Sequence, residues 1–162
     1  MTLRFSSLIL LLTMALSSSP LCGQETLMPD STGQIVADPW AVESLLTPDS
    51  LKEMMSSRTK ENIVVIHTGP AELFKKGHIP GAVTVGQVSD AAGTKALKEK
   101  LQKLSKKKEI VLYCGCCPLN KCPNIRPAYT ITREMGFKKV KVLDLPNNFR
   151  FDWTKKGFAV EK

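Results

Sequence analysis

Two short, uninterrupted aliphatic runs constrain the fold of this chain more than any other feature. Residues 63–66 read Ile-Val-Val-Ile, and residues 110–113 read Ile-Val-Leu-Tyr. Successive side chains of a strand point to opposite faces, so an unbroken apolar run predicts a strand buried on both faces. Such strands belong to parallel sheets that carry helices on each side. The two runs therefore predict an α/β fold.

Helical patterns separate these runs. Thr47 followed by Pro48 indicates an N-cap and first turn, and a helix is predicted to begin there. Further helices are expected over residues 70–76, 90–105 and 127–135, and further strands over residues 83–85 and 140–143. This alternation predicts a three-layer α/β fold with a mostly parallel central sheet flanked by helices.

The first residues are typical of an exported protein. Arg4 precedes an apolar run over residues 8–16, and small residues then lead to Gly23. This order is that of a secretory signal peptide, and the apolar run is shorter than the roughly 20 residues that span a membrane. A lipid anchor on Cys22 is the alternative, but Leu21 is a poor residue before a lipidated cysteine.

We therefore predict three segments, of which only the last folds as a domain. They are a signal peptide over residues 1–23, a linker over residues 24–37 and a single domain over residues 38–162. The mature protein is expected to be periplasmic or secreted, with no transmembrane segment.

The chain is basic, with a formal net charge of +8. Part of the excess is a run of lysines, Lys98, Lys100, Lys103, Lys106, Lys107 and Lys108. Such a run is typical of a solvated helix face, and export argues against a nucleic-acid partner. We expect the charge to attract small anions instead.

The cysteines indicate where the chemistry lies. Apart from Cys22, all of them fall within nine positions, as Cys114, Cys116, Cys117 and Cys122. Disulfides that stabilise a secreted fold close long loops, which four cysteines so close together cannot do. Cys114 directly follows an aliphatic run, and ligands bind at the carboxyl ends of strands in such sheets. The cluster therefore predicts a reactive site.

The residue types of this loop suit nucleophilic chemistry. A thiol reacts as its thiolate, which nearby positive charge or backbone N–H groups stabilise. A loop between a strand and a helix directs several N–H groups to one point. Lys121 and Arg126 are predicted to add positive charge that binds a substrate anion.

With this loop in view, the chain resembles the rhodanese family of sulfurtransferases. The segment 77–82, Gly-His-Ile-Pro-Gly-Ala, closely matches the family's first signature. The strand ending at Cys114, the following helix that stops at Gly136, and Trp153 near the end also occur in the family's order. The resemblance covers residues 38–162.

The resemblance implies that Cys114 carries a persulfide. In this family the cysteine at the strand end takes a sulfane sulfur from a donor such as thiosulfate and passes it to a thiophilic acceptor. The expected partners are thus a small sulfur-bearing anion and a thiol acceptor, with no cofactor, and the protein partner is not specified. Arg126 is implied as a further anion contact.

The chain departs from the family pattern at three places. The loop after Cys114 is longer than usual and contains three more cysteines. His67 and Gly69 stand where an aspartate and an arginine are usual, and Asn147 and Asn148 stand where the family has two glycines. The two asparagines are expected to adopt turn conformations that favour glycine.

The first alternative is thiol–disulfide exchange. Cys114 and Cys117 have the C-x-x-C spacing of redox proteins at a strand end. Cys116, Cys117 or Cys122 would then resolve an intermediate, or Cys116 or Cys117 would form a local disulfide with Cys122. Cys117 and Cys122 are also the next candidates for the reactive thiol.

The second alternative is a module that binds Cu(I) or Zn(II). Cys114, Cys116, Cys117 and Cys122 offer the soft thiolates that these metals prefer, and His67 would be a further ligand if the fold brings it close. A rhodanese-like fold that serves as a non-enzymatic sensor or binding module is the remaining alternative.

Overall fold

The computed structural model describes residues 27–29, 35–57 and 60–162. The predicted signal peptide, with Cys22, lies outside the described residues. Two short antiparallel strands, β1 (Leu27–Pro29) and β2 (Ile35–Ala37), lie within the stretch predicted as a linker.

The remaining strands form one five-stranded sheet in which every pair is parallel. They are β3 (Leu45–Leu46), β4 (Ile63–His67), β5 (Val83–Thr84), β6 (Glu109–Tyr113) and β7 (Val140–Leu143). Their order across the sheet is β3-β7-β6-β4-β5, with β6 at the centre. The aliphatic runs thus form the two longest strands, and the prediction of a parallel sheet is confirmed.

Five helices connect these strands or follow the last one. They are α1 (Pro48–Ser56), α2 (Ala71–Lys76), α3 (Ala91–Gln102), α4 (Ile125–Glu134) and α5 (Phe149–Asp152). Short 3-10 turns lie at Val42–Ser44, Lys60–Asn62, Leu119–Lys121 and Thr154–Lys156. Within the parts of the chain described, no helix is long and apolar enough to cross a bilayer.

The strands bury side chains on both faces, as an unbroken apolar run requires. Ile110 and Leu112 pack on one face, in a cluster to which α3 and α4 contribute Leu97, Leu101 and Ile125. The other face buries Val111 and Tyr113 with Leu51 of α1, Ile79 and Trp153. The fold therefore has the three layers that the sequence predicts.

Capping residues set several helix ends. The Thr47 side chain accepts a hydrogen bond from the Ser50 N–H at 3.1 Å, which confirms it as the N-cap of α1. Asp90 caps α3 in the same way through the Gly93 N–H at 2.7 Å. Gly136 follows α4 with φ +87°, a left-handed conformation that glycine adopts without steric cost.

The signature segment 77–82 is fixed against the central strand. Ile79 is fully buried, and its N–H donates to the hydroxyl of Tyr113 at 3.3 Å. His78 stacks on Phe74 with ring centroids 3.7 Å apart, and its backbone pairs with Glu161. The segment thereby joins the C-terminal residues to the sheet.

The final segment packs on the sheet through Trp153. Its ring is buried and its indole N–H donates to the Ala159 carbonyl at 2.9 Å. Phe151, in contrast, is 49% exposed, and the Lys155 ammonium lies over its ring.

Candidate active site at the end of the central strand

Cys114 follows directly after β6, at the carboxyl edge of the sheet and between the neighbouring strands β4 and β7. Only 4% of its surface is exposed. The chain leaving β4 runs close beside it, since the Thr68 N–H donates to the Tyr113 carbonyl at 2.8 Å. The position of Cys114 at the carboxyl end of a parallel strand agrees with the sequence prediction.

Gly69 explains one departure from the family pattern. A Cβ atom at this position would lie 2.7 Å from Cys114 Sγ and 3.2 Å from the Cys114 carbonyl oxygen. The first distance is shorter than Cβ atoms show in proteins, and the second is unusually tight. A side chain at residue 69 would therefore require Cys114 Sγ to shift from this position.

The long loop folds back on itself and is fastened at two points. The Phe149 N–H donates to the Gly115 carbonyl at 3.1 Å, and the Leu119 N–H donates to the Leu145 carbonyl at 3.1 Å. Gly115 has φ +74°, where side chains are strained. The 3-10 turn Leu119–Lys121 then reverses the chain, which brings Cys122 back toward Cys114.

The loop gathers the thiols into one cluster. Cys116 Sγ lies 3.2 Å from Cys114 Sγ and 3.1 Å from Cys117 Sγ. The sulfurs of Cys114, Cys116 and Cys122 all lie within 4.8 Å of one another. All four cysteines are free thiols, so the structure does not contain the local disulfide to Cys122.

Polar N–H groups surround two of these sulfurs. The Asn124 side-chain amide donates to Cys114 Sγ at 3.5 Å, and the Cys116 backbone N–H also faces that sulfur. The backbone N–H groups of Asn124 and Ile125 face Cys122 Sγ at the beginning of α4. The convergence of N–H groups expected from the sequence is therefore shared between Cys114 and Cys122.

The shared hydrogen bonds separate the acidities of the thiols. Cys114 and Cys116 both donate to Cys122, which lowers the pKa of Cys122 far below its ordinary value, with help from the N–H groups of Asn124 and Ile125. A hydrogen bond from Cys116 lowers the pKa of Cys114. The hydrogen bond that Cys114 donates to Cys122 and the burial of Cys114 have the larger effect, and the pKa of Cys114 rises to about 12. Donation to Cys114 and Cys122 raises the pKa of Cys116. These hydrogen bonds therefore favour the thiolate form at Cys122 over the thiolate forms of Cys114 and Cys116.

His67 is a buried, neutral histidine. Its Nδ1 lies 3.2 Å from the Thr84 hydroxyl, and its ring packs against Phe74 and Tyr113. Burial lowers the pKa of His67 to about 4, despite a hydrogen bond with the Cys114 backbone. His67 does not belong to the group of mutually close ligand atoms, so the structure does not place it as a metal ligand.

A cavity of about 610 Å³ opens above Cys114 and Cys116. Its apolar wall includes Leu73, Tyr113 and Phe149. Three cationic residues also line it, Lys76, Arg150 and Lys162, and no carboxylate side chain belongs to the described lining. The cavity therefore attracts anions toward the thiols.

The structure places the two predicted anion contacts elsewhere. Lys121 is exposed on its 3-10 turn, and Arg126 pairs with Asp38 at 2.7 Å and donates to the Asn120 carbonyl. Neither belongs to the described lining of the cavity. Arg126 instead ties the loop to the chain that precedes β3.

Sequence reasoning missed the three cations that line the cavity. Lys76 directly precedes the signature segment, and Arg150 follows Asn147 and Asn148, so both positions border motifs that were identified. Their position beside these motifs is the sequence signal that could have identified them. Lys121 and Arg126 are closer to the cysteines along the sequence, and the sequence analysis therefore favoured those two.

The wall that carries Arg150 is organised by a buried carboxylate. Asp152 accepts hydrogen bonds from the N–H groups of Asn147 and Asn148 at 2.7 and 2.8 Å, and from the Asn147 side-chain amide at 2.9 Å. Asn148 is extended, with φ −175°, and caps α5 through the Phe151 N–H. The expectation that Asn147 and Asn148 adopt glycine-like turn conformations is wrong, because every described residue with a left-handed φ is a glycine.

Comparison with known proteins identifies the family of this fold. The family model of the rhodanese-like domain matches residues 47–145. The BH2092 protein of Bacillus halodurans has a TM-score of 0.56 and 28% identity, over 72% of this chain and 74% of its own. The single-domain sulfurtransferase RDL2 of Saccharomyces cerevisiae has a TM-score of 0.53 and 17% identity, over 70% of this chain and 90% of its own.

A third similar structure is a protein from Lactobacillus plantarum, with a TM-score of 0.56 and 18% identity over 75% of this chain and 90% of its own. No curated protein matches the chain. At these identities, the likeness to the yeast and Lactobacillus proteins concerns the fold alone.

Proposed function

The chain belongs to the rhodanese-like domain family, and from this premise we propose that it is an exported sulfurtransferase whose sulfur carrier is Cys114. The observation that carries the proposal is the position of Cys114. This residue directly follows the central strand and lines the cavity that also contains the three cationic side chains. A sulfurtransferase needs this combination, because its donor is a small anion and its carrier is a thiolate.

The proposed first step transfers one sulfur atom from thiosulfate to the protein. The Cys114 thiolate attacks the outer sulfur of thiosulfate, the S–S bond of the donor breaks, and sulfite leaves with the bonding electron pair. A Cys114 persulfide remains. A thiophilic acceptor then attacks the outer sulfur of the persulfide, takes that sulfur and regenerates the Cys114 thiolate.

The surroundings of Cys114 support this step. Cys114 donates a hydrogen bond to Cys122, which helps to raise the pKa of Cys114, so the thiol loses its proton before it attacks the donor. The Cys116 N–H and the Asn124 amide favour the anionic form of Cys114 once the proton has left. Lys76 and Arg150 raise the local concentration of the anionic donor.

The proposal includes export because residues 1–23 have the pattern of a secretory signal peptide. A secreted or periplasmic enzyme works where thiols tend to be oxidised, so turnover would depend on a thiol donor that keeps the cluster reduced. Cell fractionation of the full chain, with cleavage located by N-terminal sequencing, tests this part separately from the chemistry.

The chemistry is tested by steady-state turnover with thiosulfate as donor and cyanide as acceptor. The wild-type protein is expected to form thiocyanate, the Cys114→Ser variant to form none, and the Cys117→Ser variant to retain turnover. Cys116→Ser is expected to retain part of it. Turnover in Cys114→Ser, or none in the wild type, would refute the proposal.

Thiol–disulfide exchange is the second candidate, and the 3.2 Å distance between Cys114 Sγ and Cys116 Sγ favours it. That distance points to Cys114 and Cys116 as the pair, whereas Cys117 contacts Cys116. In this reaction a substrate disulfide is reduced to two thiols while the pair forms one disulfide. Reduction of a small-molecule disulfide that is lost in Cys116→Ser, without sulfur uptake from thiosulfate, would favour this candidate.

A further inference from the structure

We propose that Cys114, Cys116 and Cys122 form a three-coordinate site for Cu(I), and that the metal competes with sulfur transfer for Cys114. This second function rests on the thiol cluster itself and does not require that the protein be a sulfurtransferase. The three residues are called the thiol triad below.

The spacing of the triad suits a single ion. Its three sulfurs lie within 4.8 Å of one another. For a metal–sulfur bond of about 2.3 Å, three sulfurs around an ion in their plane lie about 4 Å apart. The sulfurs of Cys114 and Cys116, at 3.2 Å, would need to separate by less than about 1 Å to reach that spacing.

The number of ligands selects the metal. Cys117 contacts Cys116 and Cys122 but lies outside the mutually close group, and among the described residues no histidine or carboxylate joins that group. Structural zinc sites take four ligands in a tetrahedron. Soft thiolates without a fourth ligand suit Cu(I), which is stable in low coordination.

One side of the triad offers no further ligand. Two members of the triad, Cys114 and Cys122, are buried, and Cys116 is half-buried. A narrow space beside the sulfurs of Cys114, Cys117 and Cys122 is walled by apolar side chains, those of Leu119, Ile125, Leu143 and Leu145. This apolar wall supplies no oxygen or nitrogen ligand, so the ion would be bound by the thiolates alone on that side.

N–H groups that face the sulfurs hold two of them in place. The Asn124 amide donates to Cys114 Sγ at 3.5 Å, and the backbone N–H groups of Asn124 and Ile125 face Cys122 Sγ at the N-terminus of the ten-residue helix α4. Such groups orient metal ligands and offset the charge of several thiolates around one monovalent ion.

Binding involves no change of oxidation state. The ion enters as Cu(I), forms three metal–sulfur bonds, and each thiol that is still protonated releases its proton to solvent. Because Cys114 is both a ligand and the proposed sulfur carrier, a metal-loaded protein cannot form the persulfide. The same cluster would then sense or hold copper in one state and carry sulfur in the other.

The test is an anaerobic titration of the reduced full chain with Cu(I), in competition with the chromophoric chelator bicinchoninate. One ion per chain is expected, with X-ray absorption showing three sulfur neighbours. The Cys117→Ser variant is the matched control and is expected to keep both the stoichiometry and the affinity. Cys116→Ser should lose more than about 100-fold in affinity, since loss of a residue that merely hydrogen-bonds to a metal ligand already costs about 10–100-fold.

We choose Cys116→Ser as the test variant because the side chain of Cys116 is half-buried and its replacement should leave the fold intact. Cys122→Ser would replace a buried thiol, so a loss of copper binding in that variant could also result from unfolding. Equal loss of affinity in Cys117→Ser, four sulfur neighbours, or no binding by the wild type would each overturn the site. Sulfur uptake from thiosulfate is measured in parallel on metal-free protein. Uptake without copper binding refutes the copper site alone, and copper binding without uptake refutes the proposed function alone.

Discussion

Gly69 and Cys114 lie so close that no side chain fits between them, since a Cβ atom at Gly69 would be 2.7 Å from Cys114 Sγ. The two residues follow neighbouring strands, β4 and β6, at the same edge of the sheet. The position of the Cys114 sulfur therefore depends on Gly69, which lies 45 residues earlier in the sequence.

We expect Gly69→Ala to impair sulfur uptake more than it impairs folding. The added methyl group must displace Cys114 Sγ, while the backbone of Gly69 does not have the left-handed φ that would add strain. The measurement is the rate of persulfide formation with thiosulfate, beside the free energy of unfolding from urea titration.

Gly81→Ala is the control with the opposite pattern. Gly81 has φ +72° and nothing within 4 Å of its missing Cβ, so alanine should cost about 1–2 kcal/mol of stability and leave the rate unchanged. Equal rates for Gly69→Ala and wild type would show that the sulfur moves freely or that Cys114 is not the carrier.

The cations of the cavity should govern donor binding. Replacing Lys76 or Arg150 by glutamine is expected to raise KM for thiosulfate about two- to fivefold, as loss of one partly exposed charge interaction predicts. The effect should shrink at high ionic strength, because salt screens exposed charges. Lys121→Gln, outside the described lining, should leave KM unchanged. If Lys121→Gln raised KM more than the Lys76 and Arg150 variants do, the anion would bind at the cysteine loop instead of in the cavity.

His67 should make the protein less stable in mild acid. Its folded pKa, about 4, lies below the ordinary 6.5, so the unfolded chain binds a proton that the native state refuses. This contribution to stability is complete above pH 6.5 and falls by about 3 kcal/mol as the pH drops to 4, below which it levels off. Urea titrations of wild type and His67→Gln across this range measure it as their difference, which should vanish if His67 titrates normally.

Asp152 should stabilise the wall of the cavity. Its buried carboxylate accepts three hydrogen bonds from Asn147 and Asn148, so Asp152→Ala is expected to lower the free energy of unfolding by about 2–4 kcal/mol and to raise KM. Asp49→Ala removes an exposed carboxylate paired with Lys156 at 3.6 Å, and should cost less than about 1 kcal/mol. Similar costs for the two variants would contradict this role.

The sheet was predictable because its signals are local. Residues 63–66 and 110–113 are apolar without interruption, and only a strand between two helix layers buries such a run. Thr47 and Pro48 gave the start of α1 in the same way. The start of α4 was missed by two residues, since it was placed at Pro127 and the helix begins at Ile125.

The candidate site was predictable only where it follows a strand. Cys114 could be placed at the sheet edge, but the return of Cys122 to it depends on contacts made across the fold, such as the hydrogen bond between Leu119 and Leu145. Arg126 has the right charge and the right neighbours in sequence, yet the helix that starts at Ile125 directs it toward Asp38. Lys76 and Arg150 reach the cavity from two other segments, which sequence proximity cannot reveal.

The most direct test of the central proposal is the intact mass of the reduced protein before and after thiosulfate, with peptide mapping of any added sulfur. We expect a gain of one sulfur atom, located on Cys114 and absent from Cys114→Ser. A protein that gains no sulfur, or gains it on Cys116, Cys117 or Cys122 while Cys114 stays unmodified, would contradict the assignment of Cys114 as the carrier.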